Sequence, residues 1–200
     1  MAKNVGFLGK PGTREPVRSP FVVTRLSAEV RARVEKVKLL GLDVDGVMTD
    51  GRLFYHDNGT ESKAFDVRDG HGIKMLQQAG VQVALISGRN SPSVEKRAAD
   101  LGITEVTQGV RDKVPIFEKL LSKKGLRAEQ VAFMGDDVVD LPVMNLVGFS
   151  VAVADASEFL FHTAHYVTLA PGGRGAVREV AELILGVQGL WNKVARPYFG

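Results

Sequence analysis

The chain has 200 residues, of which 44% are hydrophobic, and it carries a formal net charge of +3 with no cysteine. This length is enough for one well-buried domain, while the lack of cysteine excludes disulfides and thiolate metal sites. No apolar stretch approaches the ~20 residues that span a membrane, and residues 1–12 lack the apolar core of a secretory signal. The sequence therefore predicts a cytoplasmic protein without membrane insertion.

The positive charge is concentrated near the amino terminus. Residues 1–38 contain nine Lys or Arg and three Asp or Glu, so the remainder of the chain is slightly acidic. Residues 1–26 are rich in Gly, Pro and basic side chains and show no hydrophobic periodicity, which predicts a flexible basic extension. A basic tail alone is only weak evidence for nucleic-acid binding, and we expect no nucleic-acid partner.

Helix-like and strand-like segments alternate from residue 27 onward. The predicted helices are 27–36, 70–79, 91–100, 113–124, 138–146 and 175–188. The predicted strands are 37–43, 81–87, 103–107, 131–135, 149–153 and 165–169. This alternation predicts an α/β domain over residues 27–190, with a Rossmann-like, doubly wound, mainly parallel sheet and helices on both faces.

The first predicted strand ends in two aspartates. The run LLGLDVDGV, residues 39–47, places Asp43 and Asp45 two residues apart, so their side chains point the same way if the strand geometry persists. The carboxyl ends of strands in open α/β sheets are where ligands bind, and a shared cation or proton relieves the repulsion between adjacent carboxylates. On its own, the pattern is also typical of a strand-to-turn junction.

Residues 52–65 predict a protruding β-hairpin. Side chains alternate on either side of Asn58-Gly59, which is a strong turn signal. An isolated hairpin is marginally stable in water, and this one carries the aromatic residues Phe54, Tyr55 and Phe65. We therefore expect a symmetric neighbouring subunit to cover it.

Three later segments supply further polar groups. The run VQVALISGR ends in Ser87, Gly88 and Arg89, and Lys113 opens the segment KVPIFEKLLSKKG. The run VAFMG leads into Asp136 and Asp137, with Asp140 three residues after Asp137. In chain order, the motifs are thus a carboxylate pair, a hydroxyl, an ammonium and a second carboxylate pair. Each lies where a predicted strand ends or a predicted helix begins.

These four motifs, in this order, closely resemble those of the haloacid dehalogenase superfamily. An ionised carboxylate can attack phosphorus, which makes Asp43 the candidate nucleophile and Asp45 the candidate general acid and base. Ser87 and Lys113 would hold the phosphate oxygens. The resemblance implies that Mg²⁺ is bound by the carboxylates of Asp43 and Asp136 and by the backbone carbonyl of Asp45, and oxygen ligands are those that Mg²⁺ prefers.

Members of this superfamily often carry a separate cap domain, but the motif spacing here leaves no room for one. Only the hairpin and one helix separate Asp43 from Ser87, and only one helix and one strand separate Ser87 from Lys113. A capless chain with this hairpin resembles the family of 3-deoxy-D-manno-octulosonate 8-phosphate phosphatases, as do the stretches KAFDVRDGHGI, GDDVVDLPVM and GGRGAVREV. The resemblance implies a phosphatase of lipopolysaccharide precursor biosynthesis, which acts on an eight-carbon sugar acid carrying a carboxylate and a phosphate. It also implies a homotetramer whose hairpins close neighbouring sites.

The same resemblance implies a set of substrate-binding residues. They are Asp45, Asp66, Val67, Arg68, Asp69, Gly70, Lys74, Arg89, Arg97 and Lys113. The basic members suit a phosphate dianion and a carboxylate. Lys74 and Arg97 are equally consistent with exposed helix charges.

Residues 191–200 follow the last predicted helix, and Pro197 should prevent further helix there. The resemblance implies a mobile tail that acts as a lid and helps product leave, with Arg196, Tyr198 and Phe199 reaching a phosphate or a neighbouring site. A frayed chain end is the alternative.

Two other functions remain open from the sequence. A phosphatase for a nine-carbon, sialic-acid-like 9-phosphate would share every catalytic residue. A non-catalytic oligomeric scaffold of the same fold normally lacks the nucleophile or its acid, whereas Asp43 and Asp45 are both present here.

Overall fold

The structure, a computed structural model, describes residues 26–199. The predicted extension lies outside these residues except for Leu26, so its flexibility stays a prediction. The α-helices of the described residues are α1 (Ala28–Val34), α2 (Val67–Ala79), α3 (Pro92–Leu101), α4 (Lys113–Lys124), α5 (Leu141–Met144), α6 (Glu158–Phe161), α7 (Ala176–Val187) and α8 (Trp191–Phe199). None of the helices between residues 26 and 199 has the length and hydropathy required to cross a membrane.

The strands are β1 (Leu39–Leu42), β2 (Phe54–Tyr55), β3 (Glu61–Ser62), β4 (Gln82–Ile86), β5 (Glu105–Thr107), β6 (Val131–Gly135), β7 (Phe149–Ala152) and β8 (Tyr166–Val167). Six of them form one parallel sheet in the order β5-β4-β1-β6-β7-β8. The chain winds outward from β1 to β5 and starts again at β6, so the switch point of the sheet lies between β1 and β6. Open α/β sheets bind ligands at this point. The predicted doubly wound α/β fold is confirmed, and the described residues contain no cap domain.

Successive residues of β1 serve two hydrophobic cores on opposite faces of the sheet. Leu40 and Leu42 pack with residues of α1, α2, α3, α7 and α8, whereas Leu39 packs with residues of α4, α5 and α6. This division follows from the alternation of side chains along a strand. Burying one Leu side chain contributes about 1.5–3 kcal/mol, so both cores hold β1 and the aspartate that follows it.

Two helices differ from their predicted bounds by more than two residues at one end, for local reasons. Helix α2 begins at Val67 because the carboxylate of Asp66 caps it, accepting from the backbone N–H of Arg68 at 2.6 Å; such a cap typically contributes ~1 kcal/mol. The predicted helix 138–146 is instead a 3₁₀ turn, Val138–Asp140, followed by α5. Pro142 explains the break, since it has no N–H to continue a helix from the preceding turn.

The hairpin is present and stands apart from the main sheet. Strands β2 and β3 pair antiparallel over two residues each, with Phe54 opposite Ser62. The turn is closed by the N–H of His56, which donates to the carbonyl of Thr60 at 2.9 Å. Phe54 and Tyr55 are 48% and 67% exposed, so the chain leaves both side chains partly uncovered. The expectation that Phe65 is also uncovered is wrong, because Phe65 packs against the hydrophobic core.

The carboxyl-terminal segment differs from the prediction. Residues Trp191–Phe199 form α8 instead of a non-helical tail. Val194 and Ala195 are buried against the core and Trp191 packs beside it, at the spacing of one helical face. The prediction that Pro197 prevents helix is wrong, because this packing outweighs the cost of a proline in a helix, about 3 kcal/mol. The mobility of the segment stays a prediction.

Candidate active site

The carboxyl ends of β1, β4 and β6 bring three of the predicted site residues to one edge of the sheet. Asp43 directly follows β1, and its backbone N–H donates to the carbonyl of Met134 at 3.0 Å, so strand pairing continues to this residue. Ser87 follows β4 and Asp136 follows β6. Asp43 and Ser87 are buried. The sheet register alone therefore gathers two carboxylates and a hydroxyl.

Lys113 completes this edge from the first turn of α4. Its side chain is 3% exposed, and its Nζ donates to Asp43 Oδ1 at 2.5 Å and to Asp140 Oδ1 at 2.6 Å. Burial alone would lower the pKa of Lys113, but the two carboxylates outweigh burial and raise it. A cation near a helix N-terminus is mildly unfavourable, so the carboxylates are what hold the ammonium there. We call Asp43, Lys113 and Asp140 the lysine triad.

Asp140 lies in the fourth motif, but the sequence-based predictions assigned it no role in the site. It is fully buried; its Oδ1 accepts from Lys113, and its Oδ2 accepts from the backbone N–H of Asp136 at 3.0 Å. Both carboxylate oxygens thus position other groups of the site. The sequence does carry a signal for this residue, the third acid of GDDVVD, which a single helical turn brings back towards the strand end.

Asp43, Asp136 and Asp140 form a cluster of carboxylates that fits a divalent cation. One carboxylate oxygen from each lies within 4.8 Å of the others. Burial, followed by the charge of Asp140, raises the pKa of Asp43 to about 7, with Lys113 opposing. Burial, followed by the charges of Asp43, Asp140 and Asp137, raises the pKa of Asp136 to about 8. One ammonium does not neutralise three carboxylates, so the cluster has the charge and the oxygen ligands that suit Mg²⁺.

Two glycines allow close contacts beside this cluster, one with a side chain and one with backbone. Gly46, in the turn after β1, has a φ of +93°, and a Cβ there would clash with Asp136 Oδ2. Gly172 packs directly on the carbonyl oxygen of Gly46, with no space for a Cβ. The loop 172–175 also donates an N–H to the carbonyl of Val47 at 2.9 Å. Its backbone therefore supports the turn after β1.

A second charged cluster lies where the base of the hairpin meets the strand ends. Lys63 pairs with Asp45, and its Nζ lies 3.5 Å from Glu61 Oε1. Arg89 Nη2 donates to Glu61 Oε2 at 2.8 Å, and Arg89 Nε lies 4.0 Å from Asp45 Oδ2. We call Asp45, Lys63, Glu61 and Arg89 the hairpin ring. The sequence predicted Asp45 and Arg89 as site residues but gave no role to Lys63 and Glu61, which reach the strand ends only because the hairpin folds back.

Several known proteins are similar to this chain. A family model of haloacid dehalogenase-like hydrolases matches residues 100–178. The 3-deoxy-D-manno-octulosonate 8-phosphate phosphatase KdsC of Escherichia coli (strain K12) is 51% identical over 164 residues, which cover 82% of this chain and 87% of that protein. The chain belongs to the family of 3-deoxy-D-manno-octulosonate 8-phosphate phosphatases.

Solved structures of this phosphatase family have the same fold. The enzyme from Yersinia pestis superposes with a TM-score of 0.81 at 49% identity, over 82% of this chain and 89% of that one. The enzyme from Moraxella catarrhalis superposes with a TM-score of 0.83 at 39% identity, over 85% of this chain and 98% of that one. The Moraxella structure is a complex with a magnesium ion, a phosphate ion and KDO.

The substrate-binding residues that the phosphatase family implies fall into two groups here. Asp45, Arg89 and Lys113 lie at the strand ends with Asp43. The second group lies on or against α2 and consists of Asp66, Val67, Arg68, Asp69, Gly70, Lys74 and Arg97. As substrate contacts, both groups stay predictions.

Part of the second group forms a basic patch at the start of α2. Arg68 pairs with the Asp66 carboxylate at 2.9 Å. Arg97 Nη2 donates to the carbonyl of Asp66 at 2.9 Å, and its guanidinium lies 5.7 Å from the centre of the Phe65 ring. Val67 is 80% exposed beside them. Two guanidinium groups therefore lie close to one exposed helix start.

Within this chain, Asp69 and Lys74 do not contribute to the basic patch at the start of α2. Asp69 is buried, and its carboxylate accepts from the backbone N–H groups of Gly175 at 3.2 Å and Arg178 at 2.8 Å, so it caps α7. The Nζ of Lys74 lies beside Gly102, at the end of α3 and shortly before the amino end of β5. Since the strands are parallel, that end of the sheet is opposite the one that holds Asp43.

Proposed function

We propose that this protein is a magnesium-dependent phosphatase that hydrolyses 3-deoxy-D-manno-octulosonate 8-phosphate to the free sugar acid and phosphate, in lipopolysaccharide precursor biosynthesis. The observation that carries the proposal is the buried contact of Lys113 with Asp43, beside Asp136, at the carboxyl edge of the sheet. A nucleophilic carboxylate, a phosphate-binding ammonium and a cation-binding carboxylate are what phosphoryl transfer to an aspartate requires. The 51% identity to the Escherichia coli phosphatase supports the choice of substrate.

In the first step, a carboxylate oxygen of Asp43 attacks the phosphorus atom, and the bond between phosphorus and the sugar oxygen breaks. Asp45, as the general acid, donates a proton to that oxygen, so the sugar acid leaves with a free hydroxyl group. Lys113 and Ser87 hold the phosphoryl oxygens. The product on the protein is an aspartyl-phosphate at Asp43.

In the second step, a water molecule attacks the phosphorus of the aspartyl-phosphate. The Asp45 carboxylate, which has lost its proton, takes one from this water as the new phosphorus–oxygen bond forms. The bond between phosphorus and the Asp43 oxygen breaks, which restores the Asp43 carboxylate and releases phosphate. Asp45 thereby regains the proton that it gave in the first step.

Asp43 and Asp136 would hold Mg²⁺ through their carboxylates, and Asp45 would do so through its backbone carbonyl. When bound, Mg²⁺ neutralises negative charge on the phosphoryl group. Asp140 lies in the same cluster, but its two oxygens already accept from Lys113 and from the N–H of Asp136. We therefore assign Asp140 to positioning these groups and not to the metal.

Phosphate release from a panel of sugar phosphates in Mg²⁺ tests the proposed substrate. The panel contains 3-deoxy-D-manno-octulosonate 8-phosphate, a nine-carbon sialic-acid-like 9-phosphate, and glucose 6-phosphate, which has no carboxylate. We expect kcat/KM to be at least ~10-fold higher for the eight-carbon substrate, the size of discrimination that one additional carbon typically allows. Preference for the nine-carbon substrate would reassign the function, and release from none of them by the folded protein would indicate a scaffold.

We also propose a homotetramer in which hairpins pack on neighbouring subunits. A two-stranded hairpin with partly exposed Phe54 and Tyr55 side chains supports this, because such a hairpin is marginally stable alone. Sedimentation at micromolar concentration should give a tetramer. A fully active monomer would contradict the proposal. The cytoplasmic location stays a prediction that cell fractionation checks.

We propose that the end of the chain acts as a lid beyond the docked part of α8. Val194 and Ala195 anchor that helix to the core, so the deletion that tests the lid removes only residues 196–200. We expect this truncation to change kcat and KM together, as changes in lids often do. Unchanged kinetics on the eight-carbon substrate would show that these residues are a passive chain end.

A further inference from the structure

The hairpin ring contains a lysine to which the catalytic steps assign no role. The side chain of Lys63 has no exposed surface, whereas the side chain of Arg89, the other cation of the ring, is 42% exposed. Lys63 follows β3, so its backbone belongs to the hairpin, while its ammonium pairs with Asp45, two residues beyond the nucleophile. The hairpin thus reaches the candidate acid–base group through one buried side chain.

Attachment of the hairpin does not by itself explain this arrangement. Glu61, in β3, already pairs with Arg89 at 2.8 Å, which ties the hairpin to the end of β4. Burying an ammonium is costly unless it is paired, and Lys63 lies closer to Asp45 than to Glu61, which is 3.5 Å away. Of the Asp45 carboxylate oxygens, Oδ1 pairs with Lys63, and Oδ2 lies 4.0 Å from Arg89. Lys63 therefore has the stronger hold on the orientation of this carboxyl group.

We propose that Lys63 is a positioning residue for proton transfer: it keeps the Asp45 carboxyl group directed at the leaving-group oxygen and makes this catalysis depend on the closed hairpin. The inference rests on the proposed phosphatase function. Asp45 gives its proton to the leaving oxygen in the first step and takes one from the attacking water in the second. Lys63 itself exchanges no proton, and its ammonium contacts Asp45 and Glu61. It acts because a general acid must lie within about 2.6–3.2 Å of the atom that it protonates.

The dependence of the rate on the leaving group separates this role from a structural one. The phenolate of 4-nitrophenyl phosphate is a better leaving group than that of phenyl phosphate, so its departure depends less on a positioned acid. The measured quantity is kcat/KM in Mg²⁺, which reports phosphoryl transfer to Asp43, for the full-length Lys63→Met and Lys63→Arg variants. We expect Lys63→Met to lose at least ~10-fold more on phenyl phosphate than on 4-nitrophenyl phosphate, a fraction of the 10²–10⁴-fold typical of acid–base catalysis. Lys63→Arg should recover most of this loss.

A double-mutant cycle tests whether Lys63 acts through Asp45. Asp45→Asn should show the same preference for the better leaving group, and adding Lys63→Met to it should cause no further loss of kcat/KM. Lys123→Met is the matched control, because Lys123 pairs with Glu105 on the surface and is 61% exposed. The control should leave kcat/KM unchanged on both aryl phosphates.

Two results would overturn the proposal. Equal losses of kcat/KM on the two aryl phosphates, or losses that add to those of Asp45→Asn, would leave Lys63 as a structural attachment of the hairpin. Circular dichroism checks that each variant folds. If Lys63→Met does not fold, Lys63→Gln, which keeps an N–H donor, replaces it, and the same two comparisons of kcat/KM apply. Both aryl phosphates lack the sugar acid. Failure of the eight-carbon substrate would therefore refute the proposed substrate while the leaving-group test still decides on Lys63.

Discussion

The lysine triad and the hairpin ring lie side by side but are built differently. The triad is held by β1, α4 and the turn after β6, and its side chains are at most 8% exposed. The ring depends on a hairpin of two-residue strands, and its Arg89 is 42% exposed. Breaking a buried ion pair typically costs ~3–5 kcal/mol, whereas an exposed pair contributes ~0–1 kcal/mol. The difference places Asp43, the proposed nucleophile, on the main sheet, whereas Asp45, the proposed general acid, is contacted by a short hairpin.

The largest expected effect lies in the triad. Asp43→Asn should reduce turnover below detection, because an amide cannot form the acyl phosphate. The fold should persist, since Lys113 keeps its contact with Asp140. Phosphate release is measured beside circular dichroism, with Glu61→Gln in the ring as the control that should retain measurable turnover. Near-wild-type release by Asp43→Asn would refute the assigned nucleophile.

The next largest effect should be the loss of activity on metal removal, which tests the cluster of Asp43, Asp136 and Asp140 and not the hairpin ring. Excess EDTA should abolish activity and added Mg²⁺ should restore it, because the acidic cluster fits a hard divalent cation. Asp136→Ala should raise the Mg²⁺ concentration for half-maximal activity by at least ~10-fold, comparable to the loss of a well-placed group around a metal. Asp100→Ala, at an exposed position of α3, is the control. Full activity in excess chelator would rule out the proposed site.

The free energy of unfolding should also differ between variants of the lysine triad and variants of the hairpin ring, with a smaller effect than those on activity. Asp140→Ala removes one partner of a buried lysine and should lower the free energy of unfolding by about 3 kcal/mol. Glu61→Ala in the ring should lower it by about 1 kcal/mol, because the nearest partner of Glu61 is the partly exposed Arg89 and the buried Lys63 keeps its contact with Asp45. Urea unfolding at one fixed protein concentration gives both values, since oligomer stability depends on concentration. Equal losses would show that the ring is as firmly built as the triad.

The smallest expected effect is the pH dependence of the ring. The hydrogen bond from Arg89 lowers the pKa of Glu61 from its usual 4.5. A carboxylate with a lowered folded pKa contributes stability that is present above its unfolded pKa and is lost as the pH falls through the folded one. The difference in thermal midpoint between the wild type and Glu61→Gln should therefore be steady near neutral pH and shrink as the pH falls below 4.5. A difference that persists undiminished at about pH 3 would exclude this electrostatic origin.

The features that the sequence predicted well depend on local patterns. Apolar runs that end in polar residues indicated the buried parallel strands, and the carboxyl ends of those strands gave the positions of Asp43, Ser87 and Asp136. All six predicted strands of the main sheet are present, although most are shorter than predicted. The strand order of a doubly wound sheet then places these strand ends next to one another, so no further information was needed to predict that Asp43, Ser87 and Asp136 lie close together.

The features that the sequence did not predict depend on pairing across space. Lys63 meets Asp45 from 18 residues away, and Lys113 meets Asp140 from 27 residues away. No hydrophobic period encodes either contact, and a lysine or an aspartate at those positions is equally typical of solvent-exposed surface. Pro197 predicted the absence of helix in this segment, but α8 forms because Val194 and Ala195 are buried against the core. Tertiary packing here overrides local helix propensity.

The contact between the loop 172–175 and the turn after β1 has a consequence for directed evolution. Gly172 meets the carbonyl of Gly46 backbone to backbone, so any side chain at Gly172 would push the turn away from Asp136. Libraries that randomise this position would consist largely of inactive members. The hairpin residues Leu53 and Tyr55, which are 38% and 67% exposed, have space for other side chains within the subunit. A search for altered substrate scope is therefore best confined to the hairpin, with both glycines kept invariant.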